Sequence, residues 1–507
     1  MKNFKITFLI MVLFLVYSCD LKEEPLFLQE YPNTSLSVNA AVDGIYESLT
    51  AYGAKEQRYF VVNGYSGLFT TGKQGNRLNN INNQNLFSLK PNYDADSEQM
   101  WIALYRTIMR CNDAIKNIPT VENPDSSEEL NFNDAVGHAY FVRAWSYFSL
   151  VRLFGDLPLW LSVPTNKDLN REKSLAKEVY SQIISDANTA ATLLNGYREV
   201  GYPKQYAANM LLAKVYMVLA TNSSLSDVSI SEMEYWQLAY EESFKVYGSY
   251  TLHQDYAELF TLDGENSSES IFELQISQVA SNSQMGRNFT PFKYKAGQHF
   301  GWLRVSADVY DEHASTYPND PRIDATFLSQ YSYVRDNGTT ANVRMYPTNP
   351  NRPRFANAHP YLFKLTEKDK THSNQYDNRN IIVYRYADLL LMLAEISNEL
   401  GNGQQLGYIT EVLNRVGMSP HMGYLGSQED FRLAIMNEYR FELLGEGEDS
   451  HNNRRRGYNY FLNNTILKHN NNPNFKASVD INLSTDPTQV MLLPIPLIEL
   501  NTNDLID

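Results

Sequence analysis

Only two cysteines, Cys19 and Cys111, occur among the 507 residues, so the fold has at most one disulfide to lean on and none once Cys19 is otherwise engaged. Stability then has to come from the core, and a chain of this length with 43% hydrophobic residues can build a substantial one. Basic charge is in short supply, 43 Lys and Arg against 58 Asp and Glu, which disfavours nucleic acid and other polyanions as partners. Metal-site patterns are missing too: the nine His are scattered, with no His-Glu-x-x-His run and no cysteine cluster, so no metal is implied. Gly67 to Lys73 has the outline of a phosphate loop, but Gln74 stands where a magnesium-binding hydroxyl is needed, so nucleotide binding is rejected. Gly401, Gly403 and Gly407 follow a helical pattern instead of a strand and mark a helix end, not a dinucleotide fingerprint.

Long apolar runs are equally scarce. The one at the start, Phe8 through Val16 behind Lys2 and Lys5, falls short of the roughly 20 residues a permanent span needs and reads as an export signal. Val16, Tyr17 and Ser18 then lead directly into Cys19, an arrangement that looks like a bacterial lipobox. Cleavage there leaves Cys19 as the acylated, palmitate-bearing amino terminus, and two or three acyl chains hold a protein to a membrane stably. Removing Lys2 and Lys5 leaves 41 basic against 58 acidic residues, a net charge of −17. The charged stretch Asp20, Leu21, Lys22, Glu23, Glu24 and Pro25 would serve as a solvated tether.

What the sequence has in abundance is helical periodicity. Over 134–154, Val136, Tyr140, Ala144, Tyr147, Phe148 and Val151 form one stripe, ended by Gly155 and Pro158. Ser174 is placed to cap the next helix, with Val179, Ile183, Ala187, Ala190 and Leu194 on its apolar face. Further helices are expected over 38–49, 100–118, 206–220, 386–400, 408–416 and 431–444. Small residues such as Ala387 and Ala394 allow close helix crossings, as in tetratricopeptide pairs. The fold class is therefore mostly α, a tetratricopeptide-like helical-repeat scaffold.

Two stretches break the helical period. One, over 260–380, is rich in turns and aromatic residues and reads as an irregular, loop-rich, minor-β insertion carried on the scaffold. The other, over 59–93, starts strand-like at 59–63 and continues into an Asn-rich run. Loops on rigid frames are where binding concentrates.

Residues 139–159, AYFVRAWSYFSLVRLFGDLPL, resemble the signature helix and turn of SusD/RagB-like proteins. Supporting matches lie in order along the chain: Trp101, Tyr105, Ile108, Cys111 and Asn112, then YAANMLLAKVY at 206–216, Asp320-Pro-Arg322, YRYADLLLMLAE at 384–395 and MLLPIP at 491–496. The glutamate-rich helix NEYRFELLGEG at 437–447 is retained, but residues 448–453 replace the usual aromatic and basic continuation, and Asp507 is reached without the common closing Asn-Pro-Gly-Tyr.

The resemblance implies four tetratricopeptide-like units, an outer-membrane lipoprotein facing the cell exterior, and a SusC-like TonB-dependent transporter as partner. It also implies capture of an oligosaccharide without catalysis or cofactor. A RagB-like protein that captures peptides, a surface glycoside hydrolase and a structural component of the transporter complex are the alternatives. The expected organisation is a signal peptide over 1–18, a lipidated tether over 19–37, an N-terminal helical part over 38–260, the irregular insertion over 261–379 and a helical remainder over 380–507.

Sugar recognition needs flat apolar faces for pyranose C–H groups and planar polar groups for hydroxyls; aromatic residues make up 13% of the chain, including 35 Tyr. Trp302, flanked by Phe300 and Arg304 in the insertion, is the first candidate ligand platform, and Tyr65, Phe69, Arg77, Asn79 and Asn80 form the second. Trp101, Trp145 and Trp160 sit in the segments that resemble the family and Trp236 in a helical pattern, and all four read as core or interface residues. Arg454, Arg455 and Arg456 read as an ion-paired or solvated face.

Overall fold

A computed structural model describes residues 35–71, 95–165, 169–276, 283–297, 299–347, 359–369, 376–472, 481 and 486–506. The export signal, Cys19 and the tether over 19–34 lie outside the described residues, as do Arg77, Asn79 and Asn80.

Helices dominate, as the periodicity predicts. In chain order the main ones are α1 (Ser35–Ala54), α2 (Glu56–Val62), α3 (Ala95–Asn117), α4 (Ser127–Phe154), α5 (Ala176–Leu193), α6 (Gln205–Thr221) and α7 (Glu232–Val246). They continue after the insertion with α9 (Tyr386–Leu400), α10 (Gln405–Arg415), α11 (Gln428–Leu443) and α12 (Asp449–Arg455), while α8 (Ala307–Thr316) lies inside it. They pack as antiparallel neighbours, α1 with α3, α4 with α5, α6 with α7 and α9 with α10, each pair stacking on the next in sequence. This is the tetratricopeptide-like scaffold expected from the small residues at the crossings. A single hydrophobic core runs through it from Val38 to Leu493 and takes in Trp101, Trp145 and Trp236, with Trp160 buried beside it.

The signature helix α4 starts two turns earlier than its apolar stripe, because Ser126 and Glu129 form a reciprocal cap: the Ser126 hydroxyl accepts the Glu129 N–H at 3.2 Å and the Glu129 carboxylate accepts the Ser126 N–H at 3.2 Å. Its conserved-looking polar residue Arg143 is a packing device. The buried guanidinium donates two 2.7 Å bonds to Asp186 on α5 and a third to Asn112 on α3, tying three helices at one point.

Three local expectations are corrected. Residues 59–63, read as strand-like from Tyr59, Val61 and Val62, belong to α2, where the three side chains pack into the core and the Asn63 N–H closes on the Tyr59 carbonyl. Ser174 does not cap α5: it pairs with Leu157 in a short ladder between β2 (Leu157–Pro158) and β3 (Lys173–Ser174), and the Asp156 carboxylate accepts the Ala176 N–H at 2.7 Å instead. The insertion also holds the ten-residue α8, hidden in sequence because only Val309 and His313 mark its buried face well.

Small sheets organise the insertion. Its two ends are joined by β4 (Ser270–Leu274) against β10 (Ile381–Arg385). Above this base lies a four-stranded sheet in the order β1 (Phe69–Thr71), β5 (Leu303–Val305), β9 (Tyr361–Leu362), β6 (Phe327–Leu328), and beside it the hairpin β7 (Gln330–Val334) and β8 (Thr340–Arg344).

Buried ion pairs lock this region to the scaffold. Arg322 of the Asp320-Pro-Arg322 motif is completely enclosed and reaches Asp320 at 2.6 Å, Glu438 at 2.6 Å and Glu442 at 2.8 Å. Arg385 reaches Glu269, Glu442 and Glu446, Arg415 joins Glu269 and Glu442, and Lys364 meets Glu446 at 2.8 Å. The two buried carboxylates of the glutamate-rich helix α11, Glu438 and Glu442, thus each have a guanidinium partner, which is what buried charges require. Two members of the basic run are ion-paired in the same way, Arg455 and Arg456 holding Glu395 and Arg456 also Glu399, whereas Arg454 donates to the Ser450 hydroxyl at 2.7 Å.

Candidate functional site

The sheet register unites two stretches that the sequence kept apart. In the antiparallel pairing of β1 with β5, Phe69 lies opposite Val305, Thr70 opposite Arg304 and Thr71 opposite Leu303. The chain therefore leaves β1, toward the Asn-rich run, at the register position next to Trp302. Residues 69–71 and the insertion meet at this edge.

At that edge Phe300 and Trp302 stack face to face, with ring centroids 4.7 Å apart and planes within 6°. The guanidinium of Arg287 sits 5.4 Å from the Phe300 ring and 5.6 Å from the Trp302 ring, a cation–π arrangement that holds both rings in place. The turn between them needs glycine: Gly301 has φ of +53°, and a Cβ there would lie 2.5 Å from the Tyr361 ring. Trp302 is only 7% exposed, while Phe300 is half-buried. The outward aromatic face therefore belongs to Phe300, with Trp302 as its support.

The other candidates are placed differently. Arg304 is buried, its guanidinium 4.7 Å from the Tyr361 ring and donating to the Tyr361 hydroxyl at 2.9 Å. Tyr65 and Phe69 are 2% and 1% exposed, which corrects their reading as a ligand patch. The Tyr65 hydroxyl donates to the Val490 and Leu492 carbonyls under the Arg454 guanidinium, and Phe69 packs edge-on to Phe289. Both are core residues whose position on a turn, next to Gly67 at φ of +79°, made them look like loop residues.

Several residues on the same surface escaped the sequence reading. Across Tyr361 from Gly301, the Tyr331 ring packs at 6.1 Å and meets Tyr294 at 5.9 Å, and its hydroxyl donates to the Phe292 carbonyl. Phe292 is exposed, and the Lys293 ammonium lies between the Phe292 and Tyr333 rings while pairing with Asp336 at 3.1 Å. The period-2 placement of Tyr331 and Tyr333 on β7, ahead of the Asn337-Gly338 turn, is the signal that could have found them. Burial raises the Tyr294 and Tyr331 hydroxyls above the usual phenol range, so both stay protonated donors. The result is a run of ring faces interleaved with neutral hydroxyls and cations, which suits a ligand with an apolar face and many hydroxyls.

Among the described residues no helix is long and apolar enough to cross a membrane. Stacked helix pairs carrying an aromatic-faced, loop-rich insertion define a helical-repeat scaffold of one recognised architecture. Residues 217–507 match the family described as "SusD family" and residues 26–217 one described as "Starch-binding associating with outer membrane", and the chain belongs to the SusD/RagB family. SusD-like protein P2 of Formosa agariphila is 26% identical over 99% of this chain and 98% of its own length. A SusD homolog from Bacteroides thetaiotaomicron superposes with a TM-score of 0.74 at 20% identity, covering 94% of this chain and 97% of that one. A laminarin-binding SusD-like protein superposes with a TM-score of 0.67 at 22% identity, covering 93% and 98%.

Proposed function

We propose that this protein is a lipid-anchored, outward-facing glycan-binding protein of the outer membrane, which holds an oligosaccharide and hands it to a SusC-like TonB-dependent transporter. The observation that carries the reading is the Phe300 face, backed by Trp302 and Arg287 and continuous through Tyr361 with Tyr331 and Tyr333. A flat ring presented by a rigid strand edge is what a pyranose stacks on, and the neighbouring hydroxyls and amides meet its hydroxyl groups. The laminarin-binding relative of the same fold supports a glycan as the ligand class. The lipobox-like approach to Cys19 supports the anchor.

The test is retention of the protein lacking residues before Asp20 on immobilised polysaccharides and on peptide mixtures, with a Phe300→Ala variant alongside. One glycan is expected to retard the parent, and losing the stacking face should weaken that binding about tenfold, equivalent to about 1.4 kcal/mol. Retention by peptides alone moves the assignment to peptide capture, and turnover of the glycan moves it to a hydrolase.

A further inference from the structure

A cleft of about 640 Å³ opens far from the Phe300 surface, between α4, α5, α6, α12 and the segment that carries Leu492 and Ile495. That volume lies in the range of small-molecule pockets. Its walls are apolar, built by Phe148, Met217, Leu492 and Ile495 among others. Apart from the exposed Lys173 and Asp156, the charged groups that line it are already engaged. Arg152 gives both terminal nitrogens to Glu448, at 2.8 and 3.3 Å, and stacks 3.8 Å from the Phe148 ring, while Lys214 meets Asp388 at 2.7 Å. Arg455 is paired with Glu395, and Arg454 donates to the Ser450 hydroxyl at 2.7 Å and lies over the Tyr65 and Phe461 rings. An ionic ligand would have to displace these contacts to pair with the inner wall.

Two polar groups in the wall are different. His451 is 8% exposed and Tyr180 2% exposed, yet among the described residues neither the imidazole nor the phenol has a hydrogen-bond partner, and both line the cleft. Polar groups on largely buried residues are nearly always partnered, so two that line a cleft without a partner are places for a ligand's polar atoms. Burial, with Arg152 close by, pushes the His451 pKa well below the ordinary imidazole value, so the ring is neutral and offers one donor and one acceptor. His451 also falls within residues 448–453, the stretch that departs from the family pattern, and Glu448 and Asn452 of that stretch line the cleft with it. The cleft is thus a feature of this chain's own residues.

We infer that this cleft is a second binding site, for a neutral molecule of one to three rings that has an apolar face and carries hydroxyl groups, held between the side chains of Leu492 and Ile495 and the free polar edges of His451 and Tyr180. The aromatic neighbours and aliphatic floor take the apolar face, while His451 and Tyr180 each exchange hydrogen bonds with a ligand hydroxyl. The inference does not rest on glycan capture at Phe300 and stands or falls separately from it.

The probe is phenyl β-D-glucopyranoside, titrated into the purified mature protein by calorimetry and soaked into its crystals. Saturable binding with density in the cleft is expected, weakened at least tenfold by His451→Phe and about three- to tenfold by Tyr180→Phe, with the cleft density kept in Phe300→Ala crystals. Phenyl phosphate, the same aryl group with a charge, is expected not to saturate. Without ligand, His451→Phe should melt at or above the parent temperature, because an unpartnered polar edge has been replaced by an apolar one. No saturable binding, equal binding by His451→Phe and the parent, density only at Phe300, or equal binding of phenyl phosphate overturns the assignment. If His451→Phe does not fold, the Tyr180→Phe titration and the crystal soak decide it alone.

Discussion

Asp449 shows how one side chain can carry a cost that its surroundings do not remove. It is buried, accepts the Gly445 N–H at 2.7 Å, and burial together with the nearby Glu446 carboxylate raises its pKa to about 7. A raised folded-state pKa means that the native chain binds a proton more tightly than the unfolded one, so this residue's contribution is greatest below pH 4 and is lost as the pH rises through about 7. Asp320 and Glu395 work in the opposite sense. Paired with arginines and held near pKa 2, they add stability above the ordinary carboxylate range and lose it as the pH falls toward 2. The buried histidines His313 and His451, with lowered pKa, also favour the folded state more as the pH rises. The total pH profile therefore mixes signs, and the clean observable is a difference. Asp449→Asn keeps the acceptor for Gly445, and its Tm relative to the parent should increase from pH 5 to pH 8. A constant difference across that range would show that Asp449 ionises normally.

Residue identity alone separated core from site only in part. Four of the five tryptophans were assignable to the core, Trp236 because a stripe of period 3.6 has to face it and Trp101, Trp145 and Trp160 because they lie in the family-like segments. Phe300, Trp302 and Arg304 could be picked out as a cluster, but which ring faces outward depends on the Gly301 turn and on Arg287, which lies outside the cluster in sequence. Tyr65 and Phe69 were misread because a buried turn has the same composition as an exposed one. The cap of α5 makes the matching point for elements: sequence spacing favours Ser174, and the fold uses Asp156, brought in by the β2–β3 ladder. Asp156→Ala should cost about 1 kcal/mol in a denaturant titration, the usual worth of a cap, whereas Ser174→Ala should change little. The reverse order would restore Ser174 as the cap. Strongly periodic helices were legible to within about two turns. Short strands were not, since β1, β5 and β9 acquire their identity only from partners distant in sequence.

For the whole molecule, the family was readable because its motifs are packing devices with strict side-chain requirements, as Arg143 and Arg322 show. The ligand was not, because the outward rings obey no such requirement. On the proposed reading, attachment to the membrane depends on the Cys19 thiol. Cys19→Ala, expressed in full length, should move the protein from the membrane fraction to the soluble fraction without changing its Tm, and continued membrane retention would point to a different attachment.

The buried arginine–glutamate lattice has a consequence for how such a protein can change over generations. Its members, Glu269, Asp320, Arg322, Lys364, Arg385, Arg415, Glu438, Glu442 and Glu446, include none of the rings that face outward at Phe292, Phe300, Tyr331 or Tyr333. Foldability and the proposed ligand surface are written in separate sets of residues, so mutation can redraw that surface on the same chassis without first having to rescue its stability.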